Sequence, residues 1–209
     1  MRLLVLGATG PTGRHLVAQA LRHGDTVTVL VRRPAALGPV GDRVRVVEGD
    51  ATSPGDVERA MSGQDAVISA LGRGRSLRAH GLFTRSADAL QEAARRTGVT
   101  RLVWMSSFGV GDTFASAHVL LKAAYGTVMR DVFADKKASE ATIRAGGMDW
   151  TLVYPTTLTN GPARGAYRVV EDRTRMRLAA RISRADVAAF LHAAAHEPRW
   201  IHRDAVITG

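Results

Sequence analysis

The sequence predicts an α/β protein built on one doubly wound parallel sheet, and three observations predict it. Short apolar runs of strand length alternate almost throughout with segments whose apolar residues recur at helical spacing. A glycine-rich turn, Gly7-Ala8-Thr9-Gly10-Pro11-Thr12-Gly13, joins the first run to the first helical segment. The first run is continuously apolar rather than alternating, as a strand covered by helices on both faces must be.

Taken in order, Arg2-Leu3-Leu4-Val5-Leu6 is the first strand, and Leu16, Val17, Ala20 and Leu21 mark the helix after the turn. Thr26 to Val31 is the second strand, followed by Arg32-Arg33 and a loop from Pro34 to Pro39. Val44 to Glu48 is the third and ends at Gly49-Asp50-Ala51; Ser53 then caps a helix over 54–61. Asp65 to Leu71 is the fourth strand, ending in Gly72, with a helix over 82–96 closed by Gly98. Leu102 to Met105 is the fifth and delivers Ser106-Ser107 to the same sheet edge. Gly109, Gly111 and Asp112 predict a loop, and Val119-Leu120-Leu121 and Val128-Met129 predict helical pieces flanking a pocket. A helix runs from Val132 to about Arg144, strand six from Asp149 to Pro155, and a turn-rich loop through Gly161-Pro162. A short strand over 166–170, a Ser183-capped helix over 184–196 and an edge strand at Ala205-Val206-Ile207 complete the chain.

At 209 residues with no internal repeat, the chain is expected to form a single domain, 1–209. Without cysteine it has no disulfide, thiolate nucleophile or zinc–sulfur site. No apolar run approaches the ~20 residues of a membrane span, and the apolar N-terminal stretch has only a strand's length. The expectation is a cytoplasmic protein without membrane partner. The net charge of +10 comes from arginines scattered along the chain, with lysine only at 122, 136 and 137. Such scatter suits attraction of anionic small ligands better than a nucleic-acid surface, and no nucleic-acid partner is expected.

The three glycines have separate mechanical tasks: a tight turn, close approach of a pyrophosphate to the backbone, and close packing of helix on strand. No Lys-Ser or Lys-Thr follows them, which excludes a Walker-type phosphate loop. At the end of the second strand, where a dinucleotide's ribose lies in such a unit, Arg32 and Arg33 stand in place of an acidic residue. Two guanidinium groups suit a 2′-phosphate, hence NADP(H) over NAD(H); a solvated loop in an arginine-rich chain is the alternative. Asp50, just past the third strand, suits an adenine amino group or, as the alternative, a cap for the helix over 54–61. Leu71-Gly72 falls where strand order reverses, with Arg73 or Arg75 within reach of a phosphate. Ser106 and Ser107 either meet the nicotinamide and acceptor or satisfy backbone groups at a strand end. Lys136 and Glu140, with Asp135 beside them, either act in the pocket or form ordinary helix-surface ion pairs. His192 and His196 share a helix face but no third ligand is evident, so no metal is expected.

These motifs, with Trp150-Thr151-Leu152-Val153-Tyr154-Pro155 and Ile182-Ser183-Arg184-Ala185-Asp186-Val187-Ala188, make the whole chain resemble the atypical short-chain dehydrogenase/reductases. Within that group it resembles the small NAD(P)H-binding proteins related to biliverdin reductase B (flavin reductase) and to NmrA-like proteins. The resemblance implies a Rossmann domain with a small C-terminal extension on the substrate side. It implies pyrophosphate on Gly10, Thr12 and Gly13, within a turn completed by Gly7, Thr9 and Pro11. It also implies 2′-phosphate on Arg32, and adenine near Asp50 and Ala51. The nicotinamide half falls near Leu71, Gly72, Ser106 and Ser107, with Tyr154, Pro155, Thr156 and Thr157 lining the substrate side.

The Tyr-x-x-x-Lys pair of the superfamily's well-known members is absent at Tyr125, Tyr154 and Tyr167, which argues against tyrosine-driven alcohol–ketone interconversion. A histidine of the biliverdin reductase B branch aligns with Thr157. What remains is an NADPH-dependent reductase passing hydride to a flavin, quinone or other conjugated small-molecule acceptor, with Ser107 as the candidate catalytic residue. The alternatives are an NmrA-like sensor that binds NADP(H) without turnover, and an isomerase or epimerase. Either a monomer or a homodimer is compatible with the sequence.

Overall fold

Alternation of in-facing and out-facing side chains along each strand, with both faces apolar, forces helices onto both sides of the sheet. That is the observed architecture in the computed structural model, which describes residues 1–74, 76, 78–110, 130–170 and 180–209. The predicted helical pieces within 111–129 lie outside the described residues.

The strands are β1 (Arg2–Leu6), β2 (Thr26–Val31), β3 (Arg45–Glu48), β4 (Ala66–Ser69), β5 (Arg101–Met105) and β6 (Asp149–Pro155). After them come β7 (Thr157–Thr159), β8 (Arg168–Val169), β9 (Arg181–Ser183) and β10 (Arg203–Thr208). The helices are α1 (Pro11–Arg22), α2 (Pro54–Met61), α3 (Leu82–Thr97), α4 (Arg130–Ala145) and α5 (Arg184–His196). The main sheet has the order β3-β2-β1-β4-β5-β6-β10-β8, parallel except for β8, and is the Rossmann arrangement. Strand order reverses between β1 and β4, which opens a crevice at their carboxyl ends.

Leu4 and Leu6 face a core shared with α2, α3 and α4, while Leu3 and Val5 face one shared with α1 and α5. Helix α3 packs between α2 and α4 on one side, and α1 packs on α5 on the other. Ser53 and Ser183 cap α2 and α5 through their hydroxyls, as expected. Gly98 ends α3 at φ 73°, a conformation only glycine adopts without strain.

Two readings need correction. The stretch from Pro34 is not plain loop: two 3-10 turns span Pro34–Arg43, broken at Gly38 with φ 61°. The last strand is not an edge, because β8 pairs antiparallel with β10 through Ile207↔Val169 and covers it. The small extension is a second sheet of two strands, β7 parallel to β9. No helix among the described residues is long and apolar enough to cross a membrane.

Candidate functional site

The turn after β1 is shaped by contacts that leave no room for side chains. Gly7 has φ 80°, and a Cβ there would lie 2.6 Å from the carbonyl oxygen of Ala70. At Gly13 a Cβ would lie 2.1 Å from the carbonyl oxygen of Gly7, and at Gly10 3.2 Å from the same atom. Helix and strand are therefore pressed together at backbone distance. Gly10 is the N-cap residue of α1 and supplies no side-chain acceptor, and Pro11 has no N–H to satisfy. The N–H groups of Thr12 and Gly13 are left for a ligand, with the positive end of the helix dipole behind them. This cradle fits a diphosphate. The Arg14 guanidinium fixes its far wall, donating to the Thr9 carbonyl at 3.2 Å and to the Ala36 carbonyl at 2.7 Å. Arg14 was not read as part of this region from the sequence.

Arg32 and Arg33 stand exposed at the end of β2, and no side-chain partner is recorded for either among the described residues. Asp50 sits half-buried past β3 with Ala51 beside it. Its Oδ1 accepts from the N–H and hydroxyl of Thr52 at 2.8 and 2.9 Å, and its own N–H donates to Asp56. Asp50 thus closes a turn, whatever its second oxygen meets. The N–H of Asp50 and the Arg59 guanidinium hold the Asp56 carboxyl below its usual range.

Leu71 and Gly72 follow β4 directly beside the Gly7 turn. The Arg73 guanidinium donates to the Arg78 carbonyl at 2.8 Å, so it is tied to its own loop; Arg75 lies outside the described residues.

At the carboxyl end of β5 the two serines part company. Ser106 is buried and donates to Glu140 Oε1, whereas half-buried Ser107 receives a 2.8 Å hydrogen bond from Lys136 Nζ. The Tyr154 hydroxyl donates to Glu140 Oε2 at 3.0 Å, and Arg144 joins Tyr154 to Asp204. Tyr154 therefore points into the core; only its backbone is left to line a cofactor. Burial and the neighbouring Glu140 charge drive its phenol far above the usual range, so it holds its proton at any physiological pH. Pro155 and Thr156 are also buried, with Thr156 tied to β10 through Thr208, and Thr157 is exposed at the start of β7.

Lys136 and Glu140 are not a solvated surface pair. They are 6% and 4% exposed and take separate partners at the sheet edge. Burial lowers the Lys136 pKa to about 8, against the pull of Glu140, and raises that of Glu140. The ammonium also stands 4.9 Å from the centre of the Phe83 ring. The residue one turn before Lys136 is Val132, and no tyrosine stands on α4 over its described length, Arg130–Ala145. The signal was present: Val132, Lys136, Ser139, Glu140 and Ile143 form one buried stripe of α4. On the same helix, Asp135 caps α3, whose N-cap residue Gly81 has no side chain to do so, and Asp131 holds the loop just before it. Asp131 accepts from the Ala79 N–H, and Asp135 from those of Phe83 and Thr84.

Between pH 8 and the ordinary lysine range the unfolded chain holds a proton on this amine that the folded chain has released. Stability therefore rises with pH across that window, by about 3 kcal/mol for this group. A Lys136→Met variant is expected to lack that rise, which urea melts from about pH 7.5 to about pH 10.5, spanning the two pKa values, measure against the parent. Identical pH dependence in both proteins would mean that the amine is not desolvated.

Beyond β6, a cleft of about 380 Å³ opens at the small sheet, with Pro162, Arg164, Arg181 and Ile182 in its wall. The tryptophans do not form a stacking box: Trp104 is fully buried, Trp150 lies under Arg144, and Trp200 packs edge-on against Phe190.

A glycine elbow at the reversal point of a Rossmann sheet, with a polar pair at its carboxyl edge, defines a nucleotide-binding protein of the dehydrogenase/reductase kind. The chain belongs to the NAD(P)H-binding family, whose model matches residues 7–198. It is 30% identical over 155 residues to a (4-alkanoyl-5-oxo-2,5-dihydrofuran-3-yl)methyl phosphate reductase of Streptomyces griseus, covering 74% of this chain and 47% of that one. The chain thus spans about half the length of that relative. Among solved structures it resembles ChuY, an anaerobillin reductase of Escherichia coli O157:H7, with TM-score 0.82 and 23% identity over 99% of this chain and 96% of that one. It also resembles a short-chain dehydrogenase/reductase of Veillonella parvula in complex with NADP, with TM-score 0.83 and 20% identity over 100% and 94%. The expected membership of an NAD(P)H-binding family is borne out.

Proposed function

We propose that this chain is an NADPH-dependent oxidoreductase that reduces a conjugated small-molecule acceptor, with flavins and quinones as the favoured class. The observation that carries the reading is the Lys136–Ser107 pair, an ammonium and a hydroxyl at the crevice edge, with no free phenol beside them among the described residues. Thr12 and Gly13 would hold the diphosphate, Arg32 and Arg33 the 2′-phosphate, and Asp50 the adenine. When bound, the reduced nicotinamide supplies a hydride. The chain itself supplies orientation. Lys136 holds the Ser107 hydroxyl, and that hydroxyl is positioned to donate to a ribose or an acceptor oxygen. An electron-poor ring needs little more than proximity, because solvent can supply the proton. Arg164 and Arg181 favour an acceptor that carries negative charge. Cytoplasmic location and a monomer or homodimer complete the proposal.

The test is steady-state oxidation of NADPH with FMN, riboflavin or a soluble quinone, followed by loss of the reduced-nicotinamide absorbance. Turnover that falls above about pH 8 in the parent, and lacks that limb in Lys136→Met, supports the assignment. Saturable NADPH binding with no turnover of any such acceptor would overturn it in favour of a binding protein.

A further inference from the structure

The fold assembles a second polar cluster at the opposite edge of the sheet, from residues the cofactor site does not use. His192 and His196 lie one turn apart on α5, and Asp25, just before β2, meets both. Its Oδ2 is 2.6 Å from His192 Nε2 and 3.2 Å from His196 Nε2, and the three ligand atoms all lie within 4.8 Å of one another. Asp25 and His192 are nearly sealed, with side chains 2% and 8% exposed, while His196 is 34% exposed and leaves an entry from solvent. The other carboxylate oxygen, Oδ1, is held at 2.6 Å by the ammonium of Met1. Thus Oδ2 alone is aimed between the imidazoles. His23 packs on His192 with ring centres 4.9 Å apart and shields that side; its Nε2 is engaged by Gln19.

We propose that Asp25, His192 and His196 form a binding site for a divalent transition metal, with zinc as the best match. Two imidazole nitrogens and one carboxylate oxygen are zinc's usual ligand types, and three protein ligands leave a fourth position for water. Ligands about 2.0–2.1 Å from a tetrahedral ion stand roughly 3.3 Å apart. The Asp25–His196 distance already matches that separation, and the Asp25–His192 distance needs to widen by less than about 1 Å. The partly exposed His196 gives room for that adjustment. The metal takes the Nε2 lone pair of each neutral ring, so the single ring proton moves from Nε2, where it now faces Oδ2, to Nδ1. The neighbouring ammonium of Met1 opposes a cation, so the expected affinity is micromolar. Strand β2 runs away from this cluster for about 20 Å before reaching Arg32, so the ion acts as a clamp between α5 and the start of β2 and takes no part in hydride transfer.

The experiment uses the full chain with no histidine tag. Zinc chloride is titrated by calorimetry and its effect on the thermal midpoint is measured. Cobalt chloride is added separately to record the visible absorbance of a low-coordinate site. One equivalent of saturable zinc, a raised midpoint, and about tenfold or greater loss of affinity in His196→Ala support the site. His15→Ala, at an exposed histidine with no hydrogen bond or ring contact to Asp25, His192 or His196, should bind as the parent does. Because Asp25 is buried, Asp25→Asn is the riskier variant; His196→Ala keeps the test decisive. No midpoint shift in the parent under excess zinc, or equal binding by parent and His196→Ala, would overturn the proposal.

Discussion

A Gly13→Val variant is expected to lose saturable NADPH binding, by about 100-fold in affinity or more, or roughly 3 kcal/mol. Even a single added carbon would sit 2.1 Å from the Gly7 carbonyl oxygen and 2.9 Å from Ala8 Cα, both backbone atoms that cannot swing aside. The only relief is to lift the start of α1 off β1. That movement carries the Thr12 and Gly13 N–H groups away from the place where they converge. Overpacking of this kind also costs about 1–3 kcal/mol of stability. A Gly24→Ala variant separates the two effects. Gly24 has φ 79° but nothing within 4 Å of an added Cβ, so it incurs conformational strain of about 1–2 kcal/mol and leaves the elbow intact. Fluorescence titration and thermal melts on both variants check this: loss of binding in Gly13→Val alone is the expected pattern. Equal binding by Gly13→Val and the parent would remove the elbow from the site.

Replacing Arg32 and Arg33 together with alanine is expected to weaken NADPH by about 100-fold or more while changing NADH little. Both side chains are exposed with no recorded partner among the described residues, so their loss disturbs no internal contact. Two charge-assisted contacts to a phosphate are worth roughly 3 kcal/mol together. The segment carrying them is held by Arg14 through the Ala36 carbonyl, so the tip keeps its place when the two guanidinium groups are removed. Parallel titrations with the two coenzymes decide it. An equal loss for both would mean that these arginines read the diphosphate or the overall field, and not the 2′-phosphate.

Where local pattern decides local structure, the sequence was legible. β6 and α5 were read to the residue, because a β-branched and aromatic run before Pro155 and a serine cap at 183 mark their limits. The partner of β10 was not legible, since the pairing of Ile207 with Val169 depends on where the chain returns after a long excursion. The elbow could be read because each of its glycines answers a steric demand. Lys136 and Glu140 were harder. A lysine and a glutamate one turn apart usually mean a wet helix face, and only their alignment with Val132, Ser139 and Ile143 argues otherwise. Asp25 and His192 are 167 positions apart, and nothing local in either segment announces the other.

Helix α4 is gripped at two places along its length. Asp131 holds it to Ala79 in the loop before α3, Asp135 holds it to the first turn of α3, and Glu140 bolts it to the end of β5 and to β6 through Ser106 and Tyr154. Lys136 falls between these anchors, so its ammonium cannot slip along the helix axis: the next available register is a full turn away, about 5.4 Å, and would break both sets of bonds at once. The loop leaving β4 and the serines leaving β5 are thereby indexed to one rigid bar, and a displacement at either is felt by the other.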